Sequence, residues 1–474
     1  MKNIPAFLPS LLLLTACAVG PDYVPPALPE KAAWSGEDSV KVAAFSSKPV
    51  DTEWWKSGND PVLDKFIADA AAHNHDIRIA VANLDEALAL RRAEAADFYP
   101  SIGANAGGAR TRTDGITVNR FDASLDAAWE PDVFGGIRRL VEASDAKAQA
   151  SQADYHDVML GVLAEVARNY FELRGLQKRI ALTQQNIDIL RGVEELAQSR
   201  FEYGAASEFD VTQARGEREV NAAVLPNLEA EVRAGIYRLS VLSGKPPEYY
   251  LSTLTAAAPL PMPPDMVPVG LPSDMLRRRP DIRRAERDLA AATADIGIAT
   301  ADMFPRFPLT GSIGTGAARF GDLFASGGFA YFVGQTVIMP LFEGGRLRAQ
   351  VDAADARQRN ALAAYEKSVL LALEDAEASL VRYGKEWETL KNLRTALETR
   401  REAASIARLR YESGTENFLV VLDAERALIT TQDAIIQSET RVLTRLTQLY
   451  KSLGGGWEAL VPAMPAQVEE TNRP

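Results

Sequence analysis

The sequence predicts a mostly α-helical fold with a membrane β-barrel portion, built from a duplicated α-β-α hairpin repeat. Three observations predict this fold. The two halves of the chain share motifs at a nearly constant offset, and each half holds a proline-bounded segment in which polar and apolar residues alternate. Each half then continues into a long stretch without proline, which is typical of a long helix.

The first residues have the features of a targeting segment. Lys2 precedes an apolar stretch, and residues 14–17 read LTAC, which resembles the lipobox of bacterial lipoproteins. We expect a signal peptide at residues 1–16, a diacylated Cys17 and an extended lipidated segment over 17–60. The alternative is a chance cysteine inside an ordinary signal peptide. Ala18 in place of an aspartate favours transport to the outer membrane.

The composition excludes several classes of protein. The chain has 474 residues and a formal net charge of −12, whereas a nucleic-acid binder needs a basic surface. It has no run of about 18 apolar residues, so no transmembrane helix is expected. Its single cysteine rules out a disulfide within the chain.

Internal duplication is visible in three ordered matches. Residues 76–100 match residues 281–305 at an offset of 205, and residues 131–136 match 340–345 at an offset of 209. RFEYG at 200–204 matches RYESG at 410–414 at an offset of 210. We therefore place a first repeat at 61–243 and a second at 273–454, joined by a proline-rich linker at 244–272 and followed by a tail at 455–474.

The alternating segments predict two strands in each repeat. We expect strands at about 101–113 and 119–131, and at about 309–319 and 328–339. Phe121, Leu125 and Trp129 alternate with Asp122 and Asp126, which predicts an apolar lipid-facing side and an acidic lumen. The alternative is a soluble β-sandwich insert. Four strands cannot close a barrel, so two copies with eight strands or three copies with twelve are both possible.

The proline-free stretches at 136–203 and 345–412 each predict a helix of about 100 Å. Apolar residues recur at steps of three and four, which indicates a heptad seam. Gly204 and Gly414 mark tips, after which helices return through about 207–242 and 416–453, with a possible kink at Pro226. A solid coiled coil is the alternative, but continuation from strands of a barrel favours a hollow wall.

Three longer motifs carry a family resemblance. Residues 271–283 read LPSDMLRRRPDIR, residues 54–55 are a tryptophan pair, and residues 411–424 read YESGTENFLVVLDA. Together they resemble the TolC/OprM outer-membrane efflux proteins over nearly the whole chain. Cys17 with GPDY at 20–23 resembles the lipoprotein (NodT-type) branch.

The resemblance implies a TolC-like homotrimer with a twelve-stranded β-barrel, a periplasmic tunnel of twelve long helices and an equatorial belt. The 244–272 linker and the tail would lie in or near that belt. It also implies two partners, namely a periplasmic adaptor protein and an inner-membrane transporter of the RND, MFS or ABC type.

The resemblance further implies roles for single residues. Asp423, Tyr411 and Glu416 would belong to the periplasmic gate, although Val420 stands where some members have a second aspartate. A solvated helix carboxylate is the alternative for Asp423. The adaptor-docking tips would include five residues, for which ordinary helix capping and packing is the alternative: Arg200, Phe201, Gly204, Arg410 and Gly414.

These observations predict a passive outer-membrane exit duct for drugs or other small toxic compounds, lipid-anchored and extending into the periplasm. A duct for secreted polypeptides and a non-conducting structural lipoprotein are the alternatives. Only three histidines occur, His73, His75 and His156, and neither a metal-ligand set nor a nucleophile motif is present. We therefore expect no enzyme activity, no metal and no cofactor.

Overall fold

The computed structural model describes residues 18–29, 33–35, 44–264, 266–325 and 329–460, so the expected signal peptide and Cys17 lie outside the described residues. Within these ranges the chain consists mainly of long helices, with two small sheets. The elements in chain order are β1 (Ala44–Ser46), α1 (Pro61–His73), α2 (His75–Ala95), β2 (Ser101–Thr113), β3 (Ile116–Trp129), α3 (Gly136–Glu202), α4 (Glu208–Ala222), α5 (Leu225–Leu242), α6 (Leu251–Leu254), β4 (Met266–Pro268), α7 (Pro272–Arg278), α8 (Pro280–Ala301), β5 (Leu309–Ala317), β6 (Phe329–Gln335), α9 (Arg346–Glu412) and α10 (Phe418–Ser452).

The duplication predicted from the sequence is confirmed by the order of the elements. The first repeat runs through α2, β2, β3, α3 and the α4–α5 pair, and the second through α8, β5, β6, α9 and α10. Helices α3 and α9 both have 67 residues, and their first residues lie 210 positions apart. This spacing equals the offset of the tip motifs.

The hairpin of the first repeat is tighter than the sequence suggests. Strand β3 begins at Ile116 instead of about residue 119, because only Asp114 and Gly115 connect it to β2. Both residues have positive φ angles, 52° and 84°, as a type I′ turn requires. In the second repeat, β6 ends at Gln335, earlier than the expected residue 339, and only an isolated bridge between Arg306 and Ile338 continues the pairing.

The return segments of the two repeats differ. In the second repeat α10 is continuous, whereas the first return segment is divided into α4 and α5. Pro226 lies in the first turn of α5, where the missing backbone N–H removes no helical hydrogen bond. At the expected kink the structure has a boundary between two helices, separated only by Ala223 and Val224, which keep helical backbone angles.

The chain divides into two compact units. The first comprises Met1–Ala27, Ala82–Ala153 and Arg283–Ser368, and the second comprises Leu28–Val81, Asp154–Ile282 and Val369–Pro474. Among the helices of the described residues, none combines the length and the apolarity needed to cross a membrane.

The first unit contains a four-stranded antiparallel sheet in the order β2-β3-β5-β6. Each hairpin comes from one repeat, and the β3–β5 pairing joins the two repeats edge to edge. In the same unit, small alanines of α3 and α8 pack with Tyr23 in a cluster of Ala146, Ala290 and Ala291.

The second unit has a core of large aromatic and aliphatic side chains. Tyr170, Tyr383 and Tyr450 are fully buried, and the ring of Trp54 stacks on Tyr450 at 5.2 Å. The Tyr170 hydroxyl donates a hydrogen bond of 2.5 Å to Asp60, the N-cap of α1. Burial of each large apolar side chain contributes about 1.5–3 kcal/mol, so this core holds the surrounding helices firmly.

One residue of the arginine-rich motif is almost buried in the second unit. Arg279 is almost buried, forms an ion pair of 2.6 Å with Asp281 and donates a hydrogen bond of 2.7 Å to the carbonyl of Ser452 at the end of α10. Burial by itself would lower the pKa of this guanidinium, but its bonds to Asp281 and Asp375 raise it overall. The motif thus fastens the beginning of the second repeat to its end.

Candidate functional site

Along residues 121–129 of β3, the sheet of the first unit carries acidic side chains on one face and apolar side chains on the other. Asp126 lies opposite Gly103 on one neighbouring strand and Ser312 on the other, and its carboxylate accepts hydrogen bonds from Ser124, at 3.0 Å, and from the amide of Asn105. Asp122 lies opposite Gly107 and Gly316 in the same way. The two aspartates expected in a lumen therefore share one face and are flanked by small residues.

The opposite face is apolar and exposed. Leu125 lies opposite Ile313, which lies opposite Tyr331, and these side chains are 53%, 52% and 84% exposed. A row of exposed apolar side chains across three strands is typical of contact with lipid or with another protein. Among the described residues, no further strand pairs with the outer edge of β2 or of β6.

The two helical tips of the second unit share one backbone design. At the first tip, Gly204 N–H donates to Phe201 O and Ala205 N–H donates to Arg200 O. At the second, Gly414 N–H donates to Tyr411 O and Thr415 N–H donates to Arg410 O. Both are Schellman motifs, in which glycine has a positive φ, here 72° and 76°.

Arg200 connects the two tips within one chain. Its Nη1 donates hydrogen bonds to the carbonyl oxygens of Tyr411, at 2.5 Å, and Glu412, at 3.1 Å. Its guanidinium also lies 4.6 Å above the Tyr411 ring, as in a cation–π contact. The sequence singled out both residues but did not show that they touch.

Tyr411 is buried within the tip. Its ring is 4% exposed and packs 5.5 Å from that of Phe418. Burial raises the pKa of its hydroxyl, and the nearby charge of Arg200 opposes this effect. The Tyr411 ring therefore stabilises the tip by packing in its interior.

Asp423 and Arg410 are exposed instead. The Asp423 carboxylate is 78% exposed and lies 3.7 Å from Arg426, one helical turn further along α10. Arg410 is 63% exposed and lies 3.9 Å from Glu416. Val420, which stands where some TolC/OprM proteins have a second aspartate, is 44% exposed.

Sequence reasoning missed two buried carboxylates near the α9–α10 contact. Glu425 is 1% exposed and forms an ion pair of 2.5 Å with Arg408. Glu386 is 6% exposed and is held by Arg441, Arg445 and Ser438 at distances of 2.6–3.2 Å. The available signal was their spacing, because Glu425 follows Val421 and Leu422 at helical steps of four and three along the apolar seam.

The segment that follows Cys17 is held in the first unit. Val19 N–H donates to Phe134 O at 3.0 Å, and Arg139 donates to the carbonyls of Val19 and Gly20. Arg139 also forms an ion pair of 2.7 Å with Asp22. Cys17 itself lies outside the described residues.

Within the described part of the chain, no group of three or more His, Cys, Asp or Glu residues is placed to hold a metal ion. His156 stacks on Trp457 with the ring centroids 4.2 Å apart. What the sites offer is a polar sheet face, an apolar sheet face and charged helical tips.

The outer membrane efflux protein family matches this chain over residues 66–245 and 271–455, two stretches that contain α2–α5 and α8–α10 respectively. The solvent efflux pump outer membrane protein SrpC of Pseudomonas putida is 33% identical over 473 residues, covering 96% of this chain and 98% of the relative. Nodulation protein T of Rhizobium leguminosarum bv. trifolii is 30% identical and covers 95% and 97%.

Solved structures agree with this similarity. The outer-membrane channel OprN superposes with a TM-score of 0.87 at 38% identity, covering 93% of this chain and 100% of that one. The open state of the MtrE outer membrane channel of Neisseria gonorrhoeae gives a TM-score of 0.81 at 29% identity, covering 93% and 99%.

Proposed function

The chain belongs to the outer membrane efflux protein family and is the outer-membrane channel component of an efflux pump, and we propose that it lets small toxic organic compounds pass passively from the periplasm to the exterior. The driving force would come from an inner-membrane partner. Solvent, toluene and antibiotic efflux in the names of relatives supports this class of substrate.

The four-stranded sheet is the observation that carries the proposal. It carries an exposed apolar row on one face and Asp122 and Asp126 on the other, and within the described residues no further strand pairs with its two edges. Unpaired backbone groups in lipid cost several kcal/mol each, so the edges must meet other copies. Three copies give a closed sheet of twelve strands, in which the aspartates line a water-filled lumen and Leu125, Ile313 and Tyr331 face lipid.

The helices extend the same arrangement into the periplasm. Each copy supplies α3, the α4–α5 pair, α9 and α10, so three copies supply twelve helical segments for a tunnel wall. The strand order supports a ring, because β3 of the first repeat pairs with β5 of the second, and β6 is left to pair with β2 of the next copy.

The tips are the proposed periplasmic entrance. We assign Asp423, with Tyr411 and Glu416 nearby, to the gate, where symmetric carboxylates attract cations and repel one another. A periplasmic adaptor would grip the tips around Arg200, Phe201, Gly204, Arg410 and Gly414. An inner-membrane transporter of the RND, MFS or ABC type would complete the pump.

A lipid anchor at Cys17 fits the position of the following segment. Arg139 and Phe134 hold residues 19–22 next to the turn between β3 and α3. Two or three acyl chains on Cys17 would then enter the membrane near the base of the sheet.

Tolerance assays test the function. Deleting the gene should sensitise cells that lack a substitute channel to toluene-like solvents and lipophilic antibiotics, and a plasmid copy should restore tolerance. Unchanged susceptibility in such cells would contradict the proposal.

Single-channel recording tests the gate. The Asp423→Asn variant should raise the open probability in planar bilayers, because asparagine cannot bind the cation that would bridge the carboxylates, overcome their repulsion and hold the entrance closed. Asp188→Asn is a matched control, since Asp188 is 56% exposed and also pairs with an arginine three residues later. Equal recordings for the two variants would exclude Asp423 from the gate.

A further inference from the structure

The two tips have equivalent backbones but different side-chain surroundings. Arg200, Phe201 and Glu202 correspond to Arg410, Tyr411 and Glu412 at an offset of 210. The correspondence continues into the next helices, since Ser207 caps α4 and Asn417, again 210 residues later, caps α10. The residues that form a contact at one tip therefore have equivalents at the other tip that could form the same contact.

Only one of the two equivalent contacts is made inside the chain. Arg200 bonds to the carbonyls of Tyr411 and Glu412 and covers the Tyr411 ring, which is 4% exposed. The equivalent arginine, Arg410, is 63% exposed, and the equivalent ring, Phe201, is 41% exposed. The chain thus presents both halves of a second contact that it does not complete.

We propose that Arg410 of one copy completes this contact with the first tip of the next copy. Its guanidinium would lie over the ring of Phe201 and donate hydrogen bonds to the carbonyls of Phe201 and Glu202. The inference rests on the proposed ring of copies. In a head-to-tail ring, the first tip of each copy lies next to the second tip of the same copy. The second tip in turn lies next to the first tip of the neighbouring copy, so the same arrangement recurs between copies.

The chemistry of the acceptors supports this pairing. Carbonyl groups in the last turn of a helix carry partial negative charge and attract a cation. Phe201 O accepts the Gly204 N–H at 2.9 Å, and a carbonyl oxygen has two lone pairs. Tyr411 O already accepts both the Gly414 N–H, at 3.0 Å, and Arg200, so the same double use is available to Phe201 O.

The contact changes the roles of the tip residues. Arg200 links the two tips within each copy, and Arg410 links neighbouring copies. Around the ring, every tip would therefore be bound to the next by one arginine. In the adaptor-free channel, two exposed aromatic side chains near the first tip remain available to an adaptor, Tyr203 at 86% and Phe209 at 57% exposure.

Thiol cross-linking in cell envelopes tests the contact. The double variant Arg410→Cys/Phe201→Cys, treated with a bis-maleimide about as long as an arginine side chain, should give covalent dimers and trimers on denaturing gels. The control Arg200→Cys/Tyr411→Cys should cross-link only within a monomer. The parent chain, whose single cysteine is Cys17, should give neither product.

A second measurement covers the case of a misfolded cysteine variant. Arg410→Ala should speed thermal dissociation of the trimer about tenfold, because it removes charged hydrogen bonds between copies. Arg410→Lys should recover only part of this loss, because lysine lacks the planar fork. Arg401→Ala, also on α9 and 54% exposed, should have no effect.

The outcomes separate this contact from the channel function. The contact is wrong if the Arg410→Cys/Phe201→Cys variant restores solvent tolerance but forms no covalent oligomers on cross-linking. It is also wrong if the Arg410→Ala trimer dissociates at the rate of the parent trimer. Neither result would affect the proposed channel function. Loss of the channel role itself would appear as a parent chain that neither restores tolerance nor conducts.

Discussion

The three consecutive arginines at 277–279 differ sharply in their surroundings, although the sequence makes them look alike. Arg277 is 72% exposed, Arg278 pairs with Glu458 at 3.3 Å, and Arg279 is 14% exposed with Asp281, Asp375 and Ser452 as partners. A guanidinium in such a position is held by several charged hydrogen bonds at once. The structural role of the motif therefore rests mainly on its third residue.

Replacing Arg279 should destabilise the protein strongly. Arg279→Ala leaves the Ser452 carbonyl and two carboxylates without their cation, so we expect a loss of about 2–4 kcal/mol in the free energy of unfolding. Arg277→Ala should stay within about 0.5 kcal/mol, as exposed substitutions usually do. Denaturant unfolding of the detergent-purified protein measures both, and equal effects would refute the assignment.

Single charged residues also mark the limit of the sequence-based interpretation. Glu425 was not considered, because a glutamate in a charged helix is usually solvated. Its burial depends on Arg408, which approaches from α9, and pairing between distant helix positions cannot be read from periodicity. Likewise, the sequence suggested that Tyr411 and Arg200 are both tip residues but not that one covers the other.

At the scale of elements, local chemistry made the helices and turns predictable. Long proline-free stretches became α3 and α9, and glycine occupies the positive-φ position at both tips. The ends of strands were less predictable. The early start of β3 follows from a two-residue turn, and the early end of β6 follows from lost pairing with β5, which is a tertiary effect.

Replacing a tip glycine with alanine should destabilise the protein, whereas the same replacement inside a helix should stabilise it. Gly414→Ala places a side chain at a φ of 76°, which costs about 1–2 kcal/mol. The added Cβ meets only Arg200, at an ordinary 3.7 Å, so the cost comes from the backbone. Hydrogen exchange of the tip amides should therefore accelerate.

Gly216, within α4, provides the control. An added Cβ there meets nothing within 4 Å, so Gly216→Ala should stabilise the helix by about 0.5–1 kcal/mol and slow exchange. Faster exchange in both variants, or in neither, would show that the tip backbone is not strained by a side chain.

For the whole molecule, the sequence required other copies but did not determine their number. A sheet of four strands must close with its siblings in lipid, and both eight and twelve strands satisfy that condition. The polar and apolar faces follow from the alternation of residues along each strand, so they were visible in the sequence of β3. The pairing of β3 with β5 between repeats was not, because it joins residues far apart in the chain.

Ion selectivity offers a test of which face lines the lumen. Asp126→Asn, recorded in the Asp423→Asn background to raise the open probability, should reduce the preference for cations, because a ring of carboxylates attracts them. The reversal potential in a KCl gradient measures this preference.

Asp114→Asn is the matched control: it removes the same charge at the β2–β3 turn, and asparagine accepts the φ of 52° found there. If the two variants shift the reversal potential equally, or if Asp126→Asn leaves it unchanged, the acidic face does not border the conducting path. A shift confined to Asp126→Asn would place the apolar face toward lipid, since neighbouring residues of a strand point to opposite sides.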